Sequence, residues 1–459
     1  VEIDMSTIAD NSLKAFQWSP QPQAEKLVRE LVSEFLSKNS FANELARRMK
    51  DETGTRFYDW VEVVVLPKSD TIAQKIREVG YEIFHDRQGE QLWINPLGMF
   101  PRITLSSASK SMQVHLKVTS VVDFGDVWRL QDKIEGEPMA PYRRVRAWHE
   151  NGTELWAAER WGWLGMDLLK SKESHAIEAH RVLESFLTRP RDFEDDAEGY
   201  AYASKLIDAS LLPIDMKCAL FFEAERRYWQ RRNRAAQVQK SRQDKLGLGW
   251  GNHDHHTYRC SRENFKHLVS FFEKLGFHCR ERFYAGREAG WGAQVMEQTN
   301  AGIITFNDVD LTPDELRGDF SHDGLQPREK LGTVGLWCAL HGDSFNQAGM
   351  HHLEAQFDFD SLREQLERED NVKTMKPFTN FPYLRQAFTE GERWKVSGKR
   401  ISRALKNNWI TEPQANQFRE QGAIGSHLEN LERNEGFKGF NQTGVSEIIA
   451  ATDPRKHLG

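Results

Sequence analysis

Asn252-His253-Asp254-His255-His256-Thr257-Tyr258-Arg259 gathers imidazoles, a carboxylate and a guanidinium into one short stretch. Neutral imidazole is the commonest protein metal ligand, so the chemistry to look for first is metal binding. The stretch reads as a strand, in which successive side chains point to opposite faces. That sets His255, Thr257 and Arg259 on one face and His256, Tyr258 and Cys260 on the other. The first face is the more polar and is the candidate site face. Glu297 ends a second strand, Ala293-Gln294-Val295-Met296-Glu297, and His115 sits on an earlier one, Val114-His115-Leu116-Lys117-Val118. Two histidines and one carboxylate would hold Fe(II) and leave three positions for a bidentate oxo acid and dioxygen. The expected ligands are therefore His115, His255 and Glu297. A rival set, His256, His352 and Glu390, follows the same strand logic, because His352, Glu354 and Gln356 share a polar face. A single histidine is more often packed than ligating; its place in a repeated unit favours the metal reading here.

The elements that must position these residues recur. The run Trp60–Val65 reads as a strand, Thr71–Gly80 as a helix with a glycine stop, and Tyr81–Phe84, Gln91–Ile94 and Arg102–Leu105 as three strands. The order returns from Val114, with a helix around Asp123–Leu130 and strands at Tyr142–Trp148 and Glu154–Trp161. A third pass starts at His255, with a helix over Asn264–Leu275 carrying Phe265, Leu268, Val269 and Phe272 on one face. A weaker fourth starts at His351. Repetition of one supersecondary unit lets paired units bury a common sheet face. The expected fold is α+β, with repeated βαβββ units forming a curved sheet. Its expected organisation is a helical lead-in over 1–56, two units over 57–164 and a helical insertion over 165–250. The metal-binding unit and a weaker one follow over 251–394, then a helical C-terminal region and tail over 395–459.

The 459 residues are 28% charged and 39% hydrophobic, with a net charge of −6. This balance argues against a general nucleic-acid or anionic-membrane binder. Apolar runs fall short of the ~18 residues that span a bilayer. The opening residues lack a basic segment followed by an apolar one, so no signal peptide is read there. Cys218, Cys260, Cys279 and Cys338 form no C-x-x-C pair, and read as reduced thiols of a cytoplasmic protein. The arginines of the insertion, Arg226, Arg227, Arg231, Arg232 and Arg234, alternate with Glu223 and Glu225 and read as a solvated helix face rather than an anion patch. No P-loop, H-E-x-x-H helix or G-x-S-x-G elbow is present. The sequence does not indicate the oligomeric state.

The repeated unit with His and Glu ligands resembles the vicinal oxygen chelate superfamily. His255-His256-Thr257-Tyr258-Arg259 resembles the H-x-T-x-R strand of the bacterial 2-oxoadipate dioxygenase/decarboxylase family, the 2-hydroxyglutarate synthases, and Glu297-Gln298 before Gly302 its E-Q segment. The resemblance implies a non-haem Fe(II) enzyme that takes a small 2-oxo acid and dioxygen, with His115, His255 and Glu297 on iron and Arg259 on the substrate carboxylate. It also implies a substrate contact at Val445 and Ser446. Where the family's first histidine is followed four residues later by an arginine, this chain has Thr119, and Lys117 offers only a point charge. Two other classes remain open on the residues alone. One is a non-redox isomerase or lyase of the same superfamily on another divalent metal, and the other a non-catalytic small-molecule-binding protein.

Overall fold

The structure, a computed structural model, describes residues 18–166, 173–284, 290–441 and 453–455. It is an α+β fold of two sheets. The first is built from β1 (Val61–Pro67), β2 (Glu82–Arg87), β3 (Glu90–Ile94), β4 (Arg102–Ser106), β5 (Met112–Lys117), β6 (Tyr142–Glu150) and β7 (Thr153–Arg160). Their order across the sheet is β2-β3-β4-β1-β5-β7-β6. The second holds β8 (His253–Arg259), β9 (His278–Tyr284), β10 (Trp291–Gln298), β11 (Ile303–Asp310), β12 (His352–Gln356), β13 (Thr379–Phe381), β14 (Leu384–Phe388), β15 (Glu392–Trp394) and β16 (Ala423–Arg433). Their order is β13-β14-β16-β12-β8-β11-β10-β9, with β15 beside β16.

The two sheets repeat one plan. β1 is parallel to β4 and antiparallel to β5, as β8 is to β11 and β12. β5 is parallel to β7 and β7 antiparallel to β6, as β12 is to β16 and β16 to β14. Even the irregularities coincide. Between β1 and β5 the register steps from Val63↔His115 to Val61↔Leu116, leaving Glu62 as an extra residue. Between β8 and β12 it steps from His255↔Glu354 to His253↔Ala355, leaving Asp254 extra. A bulge of this kind re-aims side chains and often lies beside an active site.

Local sequence explains the helices that close each unit. Ser69 caps Asp70–Glu78 by accepting from the Ile72 N–H. In Phe265–Lys274, residues Phe265, Leu268, Val269 and Phe272 form one buried stripe, the spacing of a helix packed on a sheet, and Gly276 leaves it at φ +85°. The insertion helices Glu173–Thr188, Asp196–Asp208, Ile214–Gln230 and Arg234–Asp244 share a core with that stripe, with Tyr258 of β8 and with Cys260 just after it. One face of the second sheet is thus covered by helices, and the other is left for a pocket.

The region after 395 is helical only in part. Gly398–Lys406 and Glu412–Gln421 are helices, but Ala423–Arg433 is the long strand β16. Its residues, Ser-His-Leu-Glu-Asn-Leu-Glu-Arg at the end, favour helix intrinsically. Burial on both faces removes the alternation that marks a half-exposed strand, and tertiary pairing overrides the local preference.

Candidate metal centre

A single cross-strand row carries the centre. His255 of β8 lies opposite Glu354 of β12, which lies beside Glu429 of β16. Residues directly paired across strands point to one face, so the three side chains converge. Their ligating atoms all lie within 4.8 Å of one another, and all three residues are buried.

The surroundings hold each group in a ligating posture. His255 Nδ1 is 2.7 Å from Asp254 Oδ2, and Asp254 is fixed by Arg433 Nε at 2.9 Å. The bulge puts Asp254 on the same side as its neighbour His255, which strict alternation would forbid. A carboxylate on Nδ1 sets the tautomer that leaves Nε2 as the ligand, and Nε2 lies 3.1 Å from Glu354 Oε1. Thr257 Oγ1 donates to that same oxygen at 2.5 Å, and His352 Nε2 approaches it at 2.6 Å. Glu354 Oε2 is buried without a hydrogen-bond partner. Gln386 Nε2 donates to Glu429 Oε1 at 2.8 Å, and His352 Nε2 is 3.6 Å from Oε2. Neither glutamate is ion-paired to a lysine or arginine among the described residues.

Burial pushes the Glu429 carboxyl well up, and the charge on Glu354 adds to it. Glu354 moves down, because His255 and His352 outweigh its burial. Burial works against a charged His255 too, but Glu354 and Asp254 overcome it and raise that imidazole to about 9. Two adjacent buried carboxylates cannot both ionise without a cation beside them.

The row opens on a cavity of about 50 Å³ walled by Phe283, Trp291, Phe306, Phe388 and Phe440. Arg259 lines it, with its Nε 3.8 Å from Asp308 Oδ2 and its guanidinium 5.6 Å from the Trp337 ring centroid. Its Nε and Nη1 are buried without hydrogen-bond partners, as is Asp308 Oδ1. Burial raises the Asp308 carboxyl to about 8 despite Arg259.

The structure does not bring the expected set together. His115 lies in the other sheet, at the position equivalent to Glu354, but its row is Val63–His115–Trp156. There it is a packed histidine, with Nδ1 2.6 Å from Tyr142 Oη and Nε2 3.2 Å from Gln113 Oε1, and burial holds it well below its usual pKa. Its strand logic was that of a site, but its sheet neighbours offer no second ligand. Glu297 sits on the His255 row but beyond Ile304. Two strand spacings amount to roughly 10 Å, and its carboxylate is taken by Lys438 at 3.0 Å and Arg280 at 3.4 Å. Ser446 and Val445 fall outside the described residues. Of the rival set, His256 points to the helical face against Arg226 and Phe222, Glu390 is exposed, and His352 borders the centre. Glu354 was visible on the polar face of its strand, whereas Glu429 was hidden by the helical look of β16.

No family model and no curated protein matches the chain. Among solved structures, a variant of 4-hydroxymandelate synthase from Streptomyces coelicolor is 12% identical, with a TM-score of 0.24 over 86% of this chain and 97% of that one. Methylmalonyl-CoA epimerase from Mycobacterium tuberculosis is 11% identical, with a TM-score of 0.23 over 40% and 89%. A protein from Ralstonia eutropha JMP134, described as of the glyoxalase superfamily, is 12% identical, with a TM-score of 0.33 over 56% and 96%. Among the described residues no helix is long and apolar enough to cross a membrane.

Proposed function

We propose that the protein is a metal-dependent enzyme whose ion is held by His255, Glu354 and Glu429, and that it acts on a small oxo acid. The observation that carries this reading is the buried His–Glu–Glu row with an unpartnered carboxylate oxygen and, among the described residues, no lysine or arginine paired to either glutamate. One imidazole and two carboxylates suit a divalent first-row ion, so the donor set fits Fe(II). When bound, Fe(II) supplies chelation of a 2-oxo acid and activation of dioxygen, the non-haem dioxygenase/decarboxylase chemistry that the His255–Arg259 motif resembles.

The chain's own residues have defined tasks in that reaction. Arg259 presents a planar fork whose free donors match a substrate carboxylate. Asp308, protonated near neutrality, offers an O–H to a second substrate oxygen. Asp254 and Thr257 fix the orientation of His255 and Glu354. The phenylalanines and Trp291 exclude water, which strengthens every polar contact inside, and the small cavity limits the substrate to a compact acid. 2-Oxoadipate, converted to 2-hydroxyglutarate, is the first substrate to test.

The test is oxygen uptake and carbon dioxide release by anaerobically Fe(II)-loaded protein across a panel of 2-oxo acids. Turnover that disappears in Glu429→Gln is the expected result; bound iron with no oxygen uptake on any acid would remove the oxygenase reading. One observation favours a second reading. A set richer in carboxylate than two histidines and one acid also suits Mn(II) or Mg(II), and an isomerase or lyase on such an ion would turn over without consuming oxygen.

A further inference from the structure

On the opposite face of β8, behind the metal row, the same bulge turns His253 away from His255. His253 instead lies beside His256, with ring centroids 5.3 Å apart. Its Nδ1 is 3.1 Å from the Trp250 carbonyl oxygen, to which an N–H there donates. That leaves Nε2 as an acceptor, and Lys117 Nζ lies 3.2 Å from it. Lys117 ends β5 of the first sheet, so this pair bridges the two halves of the molecule. Gly251 makes the approach possible, since a Cβ there would come within 2.2 Å of the Lys117 carbonyl oxygen.

A nucleophile, a base within hydrogen-bond reach and a third group that orients the base are the parts of a nucleophilic site. Lys117 and His253, each half-buried, line a cavity of about 50 Å³ together with Arg160 and Arg226. That cavity shares Thr119, Trp161, Glu223, Arg226 and Trp250 with a cleft of about 520 Å³, so the two spaces adjoin. The cleft is rimmed by Arg143, Arg227, Arg231 and Lys240 against Asp123, Glu159 and Glu223. Arg231 has no ion-pair partner among the described residues. The insertion's arginines thus line an entrance as well as a solvated face. Burial, aided by Arg160 and Arg226 and opposed by Glu62, brings the Lys117 amine down to about 7.

We propose that Lys117 is a nucleophilic amine that condenses with the carbonyl of a small anionic aldehyde admitted through this cleft. The amine nitrogen bonds to the carbonyl carbon, and His253 Nε2 carries the nitrogen's two protons in succession to the carbonyl oxygen, which leaves as water when its bond to carbon breaks. The product is an imine; no electron is gained or lost. The cleft's cations draw the anion in, and the cavity's size restricts it to a compact molecule.

The test uses intact metal-loaded protein under nitrogen, with glyoxylate as the probe and cyanoborohydride to reduce any imine to a carboxymethyl amine. Peptide mass mapping then follows each lysine with time at neutral pH. Lys117 is expected to be carboxymethylated at least roughly tenfold faster than exposed lysines such as Lys399, and His253→Gln to remove most of that advantage, general-base assistance being worth about 10²-fold or more. Acetaldehyde, which carries no charge, should show a smaller preference for Lys117. Modification of Lys117 no faster than of exposed lysines overturns the proposal without any variant. An unchanged Lys117 rate in His253→Gln overturns the role of the base.

Discussion

His255, Glu354 and Glu429 are each unremarkable alone; together they place two carboxylates and an imidazole in one dry row. His255→Ala and Glu429→Gln should each lower bound metal to background, read by elemental analysis, with far-ultraviolet dichroism unchanged. His115→Gln and Glu297→Gln should leave metal content intact, and loss of metal in either would restore the first-expected set. Arg259→Ala should weaken binding of a carboxylate substrate by about 2–5 kcal/mol, the usual cost of truncating a buried charge partner, while metal stays bound. Asp308 gives a pH signature in the chelated protein. Its folded pKa of about 8 lies above its ordinary 3.8, so the native state holds a proton that the unfolded chain has released. Its contribution to stability is full below the unfolded value and is lost as pH rises through about 8. Urea unfolding should show Asp308→Asn losing less stability than the parent over that window.

At the scale of elements, the β8 bulge decides which face each histidine meets. Removing Asp254 would restore strict pairing of His253 with Ala355 and His255 with Glu354 and keep each on its present face, but would leave His255 Nδ1 and Arg433 without their carboxylate. The deletion should therefore weaken metal binding and destabilise the sheet by roughly 3–5 kcal/mol, the cost of leaving a buried charge such as Arg433 unpaired. Asp254→Asn keeps the phase but loses the charge on His255 Nδ1, and should cost about 10–100-fold in metal affinity. The two variants separate geometry from electrostatics; equal metal affinity in parent and Asp254→Asn would show that Asp254 does not tune the ligand.

At the scale of the molecule, two copies of one sheet plan carry different chemistry. The first keeps the bulge, with Glu62 held by Arg102 and Arg160 as Asp254 is held by Arg433, yet offers only His115 in its row. Metal should therefore stabilise the protein through the second sheet alone. Binding to the native state adds about 2.7 kcal/mol at one hundred times Kd, seen as a raised Tm that a chelator reverses. The same metal should leave the Tm of Glu354→Gln unchanged.

What the sequence determined by itself is the local grammar: the recurring strand–helix–strand order, the apolar stripe of Phe265–Lys274, and the polar faces that put His255 with Arg259 and His352 with Glu354. Those follow from periodicity and propensity, which are properties of neighbouring residues. Only the tertiary structure decided which rows meet. Whether His115 faces another ligand or Trp156, whether Glu297 is free or held by Lys438, and whether Ala423–Arg433 is a helix or a central strand all depend on strand pairing between residues far apart in the chain. The bulge at Asp254 likewise exists only as a mismatch between two paired strands, so no single stretch of sequence could announce it.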